Sequence, residues 1–209
     1  MASNKKMARG ENFRAPDCRL SFGQDLFRPR KNDQGVEKWG CTLIFAKEHR
    51  AALEAEVAKV IVAEWGEKGI ERAKQGLIKS PFLAGDGKEA RAKATGELHP
   101  GMGPDVFFIR PTSNNAIPIR YKDPNVQATQ DEVYSGCYGF AVLNAFAWHN
   151  AQNGDGVSFG INYFQKLRDG ERLGSAGGVD PNEFYEKIED TGDAPEETKS
   201  GAGAGGLFG

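Results

Sequence analysis

Apolar positions along this chain follow two periods, and the alternating one covers most of it. Residues 19–22 predict a first strand, and residues 37–45 a second. In the second, Trp39, Cys41, Leu43 and Phe45 share one side and Lys38, Gly40, Thr42 and Ile44 the other. Pro29, Asn32, Asp33 and Gly35 mark a turn-rich loop between them. From Lys47 to about Gly66 the period becomes helical: Leu53, Val57, Val60, Ile61 and Trp65 recur on one face, with Ala, Glu and Lys on the other. Gly66 and Gly69 are stop or kink candidates, after which a helical pattern resumes through residues 70–75. Residues 83–105, rich in Gly and Pro, predict a long polar loop. Further strands are predicted at 106–110 and 117–121 around a turn at Asn114-Asn115, with Pro118 confining the second to an edge or a bulge.

The longest alternating runs come last, at 134–148 and 157–168, joined by a Gly154-Asp155-Gly156 turn. On the first, Tyr138, Phe140, Val142, Asn144, Phe146 and Trp148 lie opposite Cys137, Gly139, Ala141, Leu143, Ala145 and Ala147. Bulk assigns the even positions to the core, which leaves Tyr134, Tyr138 and Trp148, at the strand ends, as stacking candidates. On the second, Val157, Phe159 and Ile161 read as core, while Ser158, Gly160 and Asn162 leave a small, polar outer face leading to Lys166 and Arg168. This order predicts a mainly β fold with one or two helices. Its expected architecture is an OB-fold-like antiparallel barrel of five to six strands, with a helix inserted after the second.

Composition and charge turn this pattern into a functional expectation. Residues 134–168 hold 8 of the 21 aromatics. Residues 180–209 carry eight acids and two bases, a net −6, which leaves +4 on residues 1–179. An aromatic sheet with basic residues at its end and an anionic tail suits a single-stranded nucleic-acid binder. Expected organisation is a flexible basic arm at 1–14, a binding domain at 15–179 and an acidic, Gly-rich disordered tail at 180–209. Candidate contacts are Lys38, Trp39, Arg110, Arg120, Tyr121, Lys122, Tyr134, Tyr138, Trp148, Asn162, Lys166 and Arg168. A homodimer is compatible with the pattern, and nothing in it chooses DNA over RNA.

Catalytic patterns are missing from the sequence. His49, His99 and His149 have no metal-ligand spacing with one another or with Cys18, Cys41 and Cys137. No cofactor is expected. Gly85-Asp86-Gly87-Lys88 lacks the upstream glycine of a phosphate loop. Asp86, Asp105, Asp123 and Asp131 leave a two-metal nuclease as a minor alternative. A virion or scaffold barrel and a protein-interaction barrel are the others. No apolar run is long enough to span a bilayer, and the first residues lack a secretory apolar segment, so the expected location is the cytoplasm.

Tyr134-Ser135-Gly136, then Tyr138, Asn144-Ala145, the run Gly156-Val157-Ser158-Phe159-Gly160-Ile161-Asn162, and Gln165-Lys166-Leu167-Arg168-Asp169-Gly170-Glu171 together resemble the tailed-phage single-stranded-DNA-binding proteins. The resemblance covers about residues 19–174. It implies an OB fold, sequence-independent binding of single-stranded DNA, and work in phage replication, recombination and repair in the host bacterial cytoplasm. It also implies a tail that recruits replication or recombination proteins, here through Glu196, Glu197, Leu207 and Phe208. The split of +4 on residues 1–179 and −6 on residues 180–209 adds the expectation that the tail occupies the cationic groove when DNA is absent.

Overall fold

Alternation in the sequence becomes a sheet wrapped around a main apolar interior, with a small second core beside it. A computed structural model of the chain describes residues 7–31 and 35–174. Among these, the strands are β1 (Phe13–Arg14), β2 (Cys18–Ser21), β3 (Arg30–Lys31), β4 (Glu37–Gly40) and β5 (Thr42–Ala46). Helices α1 (Arg50–Trp65) and α2 (Glu67–Lys74) come next, then β6 (Ile78–Lys79), β7 (Leu83–Ala84), β8 (Val106–Ile109), β9 (Thr112–Ser113) and β10 (Ile119–Arg120). The long hairpin of β11 (Tyr138–Asn150) and β12 (Gly154–Arg168) closes the order. Neighbours run β3-β4-β9-β12-β11-β2-β5-β8-β7. β4 and β5 are two halves of one segment bent at Cys41, so the path from β4 returns through β5 to where it began, as an OB-like barrel.

The bend in the predicted second strand has a packing cause. Gly40 lies so close to β9's approach that a Cβ there would stand 2.8 Å from the Pro111 carbonyl oxygen. With no side chain in the way, the segment leaves β9 and continues beside β2 and β8. α1 starts and stops near the expected places. It ends because Gly66 takes φ 69°, a left-handed value that glycine adopts without a Cβ penalty. Leu53, Val57, Val60 and Ile61 are its buried stripe, packed into the same core as β11.

The six expected strands, the one at 117–121 shortened to β10, are joined by short additions; β10 and two of the additions (β6 and β9) run parallel to β12, where an antiparallel barrel was expected. The stretch expected as a polar loop at 83–105 is folded in part: β7 pairs with β8, Arg91 bridges Leu98, and Ala90 joins Ile44 and Phe108 in a second small core. The described part of the arm is not loose. Gly10 N–H donates to the Ala145 carbonyl, Ala147 N–H to that of Ala8, and β1 pairs with β11, so the arm lies along the edge of β11 opposite β12 near its distal half.

The two faces of β11 are the reverse of the sequence expectation. Gly139, Ala141, Leu143, Ala145 and Ala147 are buried, while Tyr138, Phe140, Val142, Phe146 and Trp148 are half-exposed. Interior volume is filled by Phe45, Phe107, Phe159 and Phe164 from other strands and by α1. Small residues are what fits between them, and the large even residues are turned outward.

Candidate nucleic-acid interface

The outer face of the β11–β12 hairpin presents rings, and guanidinium groups lie over them. Arg14 Cζ stands 4.1 Å from the Phe140 centroid, Arg9 Cζ 5.1 Å from Phe146, and Tyr138 is flanked by Arg168 at 3.6 Å and Arg19 at 5.6 Å. All four fall within the range of cation–π attraction. Tyr163 adds a ring 6.1 Å from Phe140. Trp148 extends the row toward the hairpin tip, its Nε1–H donating to Ser158 Oγ at 3.0 Å. The Trp148 ring covers Gly156, where a Cβ would come within 2.2 Å of it.

Two irregularities in β12 decide which side chains join this face. Leu143 pairs with Ile161 but Val142 with Tyr163, and Gly139 pairs with Lys166 but Tyr138 with Arg168. Asn162 and Leu167 are therefore extra residues, and each bulge inverts the alternation of the residues beyond it. Ser158 and Gly160 point outward, then Tyr163 and Gln165, then Arg168.

Lys166 falls in the inverted stretch, which corrects the expectation that it contacts phosphate. It is 4% exposed, and its ammonium donates to the Glu132 carbonyl at 2.6 Å and to Asp169 Oδ1 at 2.7 Å. The rings of Tyr121 and Tyr134 lie 4.2 and 4.9 Å away. Burial pulls the ammonium's pKa down, but the Asp169 carboxylate more than offsets this, so it sits above its ordinary value. Tyr134 is tied to the same cluster, its hydroxyl donating to Asp169 at 2.8 Å, with Arg172 Cζ 4.0 Å from its ring. Lys122 is exposed beside Tyr121. Arg120 is spent on its own loop, donating to the Pro124 carbonyl and to Gln127. These residues brace the foot of the hairpin, apart from the rings of its outer face.

Two clefts extend the face across β12 and β9. One, of about 350 Å3, is lined by Phe22, Arg30, Lys38, Trp39 and Arg110. The other, of about 220 Å3, is lined by Arg9, Lys38, Asn114, Asn144, Phe146 and Asn162. Lys38 and Thr112 line both, so the clefts form one track that runs onto the ringed hairpin at Phe146. Arg110 is partly held, donating to the Glu89 carbonyl at 2.8 Å. Burial lowers its pKa somewhat, against the pull of Glu89. Phe22 holds φ 52°, a strained value for a residue with a Cβ, at the wall of the larger cleft.

Of the twelve residues expected from sequence, Lys38, Trp39, Arg110, Tyr138, Trp148, Asn162 and Arg168 come together on this track. Lys166, Tyr134, Tyr121, Lys122 and Arg120 do not. Arg9 and Arg14, expected only as part of the basic arm, also join it as contacts, as do residues the sequence pattern did not single out: Arg19 as a contact, and Phe140 and Phe146 as outward rings. The signal for the rings was present: every odd residue between Gly139 and Ala147 except Leu143 is Gly or Ala. Glu196, Glu197, Leu207 and Phe208 lie outside the described residues. Asp86, Asp105, Asp123 and Asp131 are not gathered, since no three His, Cys, Asp or Glu side chains among the described residues could hold a metal ion.

A family model described as "Enterobacter phage Enc34, ssDNA-binding protein" matches residues 14–195. The chain belongs to this family. In three dimensions it is similar to the single-stranded DNA-binding protein from bacteriophage Enc34, with a TM-score of 0.52 and 19% identity over 84% of this chain and 90% of that one. It is also similar to that protein in complex with ssDNA, at 0.53 and 16% identity over 81% and 99%. A C-terminal truncation of the same protein gives 0.54 and 15% over 77% and 88%. At these identities the likeness concerns the fold. No curated protein matches the chain in sequence. No helix among the described residues is long and apolar enough to cross a membrane.

Proposed function

We propose that this protein binds single-stranded DNA with little regard to sequence, laying the strand along the ringed face of β11–β12 and the clefts beside it. One observation carries the reading: a row of half-exposed rings on the outer surface of the barrel, of which Tyr138, Phe140 and Phe146 each have a guanidinium beside them. Every base has a π face, so stacking on Tyr138, Phe140, Phe146 or Trp148 contributes about 1–3 kcal/mol per base whatever the sequence. The arginines that cover these rings have a second use. When a base takes the ring, the displaced guanidinium remains within reach of the adjoining phosphate. Phosphate neutralisation then adds a salt-dependent term, with a slope near −0.7 per phosphate on single strands.

The binding role fits a phage protein of DNA replication, recombination and repair that acts on strands without altering them covalently, in the host bacterial cytoplasm. The −6 charge of residues 180–209 supports recruitment of partner proteins through Glu196, Glu197, Leu207 and Phe208. Titration with oligo-dT, monitored by quenching of Trp39 and Trp148, tests the central claim. Binding that is tight at low salt and weakens log-linearly as salt rises is expected. No binding at low salt refutes it and returns the scaffold and adaptor barrels to consideration.

A further inference from the structure

The smaller cleft has a chemical character that non-specific stacking does not require. Its floor crosses three strands: Asn144 on β11, Gly160 on β12 and Thr112 on β9. Asn144 leans over Gly160, where a Cβ would stand 2.7 Å from its Oδ1. The residue is 2% exposed although it belongs to the outward set of β11. Its Oδ1 accepts from Asn162 Nδ2 at 2.9 Å, and the same Nδ2 donates to Asn12 Oδ1 at 2.9 Å. Asn144 Nδ2 is left with no hydrogen-bond partner among the described residues. A buried donor without an acceptor is costly, and few native folds keep one without use.

The charged groups at the rim are also donors. Arg9 and Lys38 line the cleft, and Lys38 already occupies Asn114 Oδ1. Phe146 forms a wall against which a ring can lie. An aromatic wall with donors below and at the rim matches a nucleobase that presents carbonyl oxygens. Adenine fits it poorly. Asn recognises adenine through a paired donor and acceptor, and the acceptor of Asn144 is taken by Asn162. Adenine would also set its exocyclic amine against donors. Thymine has two exocyclic carbonyls and no exocyclic amine.

We infer that this cleft is a base subsite that holds one nucleotide of the bound strand by its carbonyl edge and prefers thymine to adenine. The inference rests on the single-strand reading and adds to it a composition preference confined to one position. Recognition is coupled to a small local rearrangement, because Nδ2 is covered until the base seats beside it.

Affinities for oligo-dT, oligo-dA and thiothymine oligomers, at one salt concentration, test it with the full chain and with Asn144→Leu. One satisfied donor predicts a dT-to-dA ratio that drops about threefold to tenfold in the variant, through weaker dT binding with dA unchanged. Sulfur accepts hydrogen bonds more weakly than oxygen, so thiothymine oligomers should bind the unaltered protein less tightly than oligo-dT. That arm decides the matter where the variant fails to fold. A ratio unchanged by Asn144→Leu, together with equal binding of thymine and thiothymine, overturns the subsite. Failure of the unaltered protein to bind any oligomer at low salt overturns the parent reading instead, and the two failures cannot be confused.

Discussion

Replacing Lys166 by Met separates a brace from a DNA contact. The methionine keeps most of the stem's volume and deletes the charge. What is lost is the bond to the Glu132 carbonyl at 2.6 Å, the two ring contacts with Tyr121 and Tyr134, and the ion pair at 2.7 Å with the exposed Asp169, which adds little. A hydrogen bond from a charged donor contributes about 1.5–3 kcal/mol, and each ring about 0.5–1 kcal/mol. Against this stands relief of the cost of burying an ammonium, which offsets several of those contributions in part. The net expectation is a loss of about 2 kcal/mol, or a fall in Tm of roughly 4–8 °C for a domain of this size. The salt slope of DNA binding should not move. Arg168→Ala, one bulge further along, should do the opposite: stability kept within about 0.5 kcal/mol and the slope reduced by about 0.7. Thermal unfolding and salt-dependent oligo-dT titration on both variants read the two effects independently. A Lys166→Met protein that melts normally but binds with a flattened slope refutes the assignment of inward and outward residues on β12.

The tip of the hairpin offers two more tests. Gly156→Ala drives a methyl into the Trp148 ring, so that ring must shift and release Ser158. Strain of this kind costs about 1–3 kcal/mol, and the tryptophan emission should move to the red. Unchanged emission and stability would show that the ring does not lie across that glycine. Asp155 holds His149 Nδ1 and Arg72 Nη2, each at 2.7 Å, and pins the tip to α2. Hydrogen bonding from His149 and then Arg72 lowers its pKa. A carboxyl depressed in the folded state contributes stability above the ordinary carboxylate range and loses it as pH falls through the lowered value. Asp155→Asn should therefore be less stable than the parent at neutral pH, with the gap closing in acid. A gap that persists to the lowest pH measured would assign the effect to something other than this carboxylate's charge.

Much of the fold was legible because the segments holding β2, β4–β5, β8, β10, β11 and β12 carry apolar runs bounded by turn residues, and because Leu53, Val57, Val60 and Ile61 mark α1 without ambiguity. The bend at Cys41, the additions of β6 and β9 and the parallel direction of β10 were not, since two-residue strands carry no period. Bulk misled on β11. A sequence shows that Phe140 and Phe146 are large, but not that Phe45, Phe107, Phe159 and Phe164 already fill the interior. Parity misled on β12, where Lys166 and Arg168 share a face in an unbroken strand. Nothing in the letters of residues 161–168 announces two extra residues. The arm is recognisably basic, but its placement along β11 depends on backbone bonds that leave no mark on composition.

Those two bulges make the spacing of residues 161–168 as consequential as their identity. Deleting Leu167 would simply remove its bulge, leaving Lys166 inside opposite Gly139 and Arg168 outside opposite Tyr138. Deleting a paired residue such as Gln165 would instead be absorbed at that bulge, turning Lys166 outward and Leu167 inward. A deletion between the bulges can thus change the charge of the surface in a single event, without altering a residue type, while loss of an extra residue leaves the faces as they are. Among relatives, a one-residue gap between the bulges should signal a changed strand-binding surface where pairwise identity alone would report none.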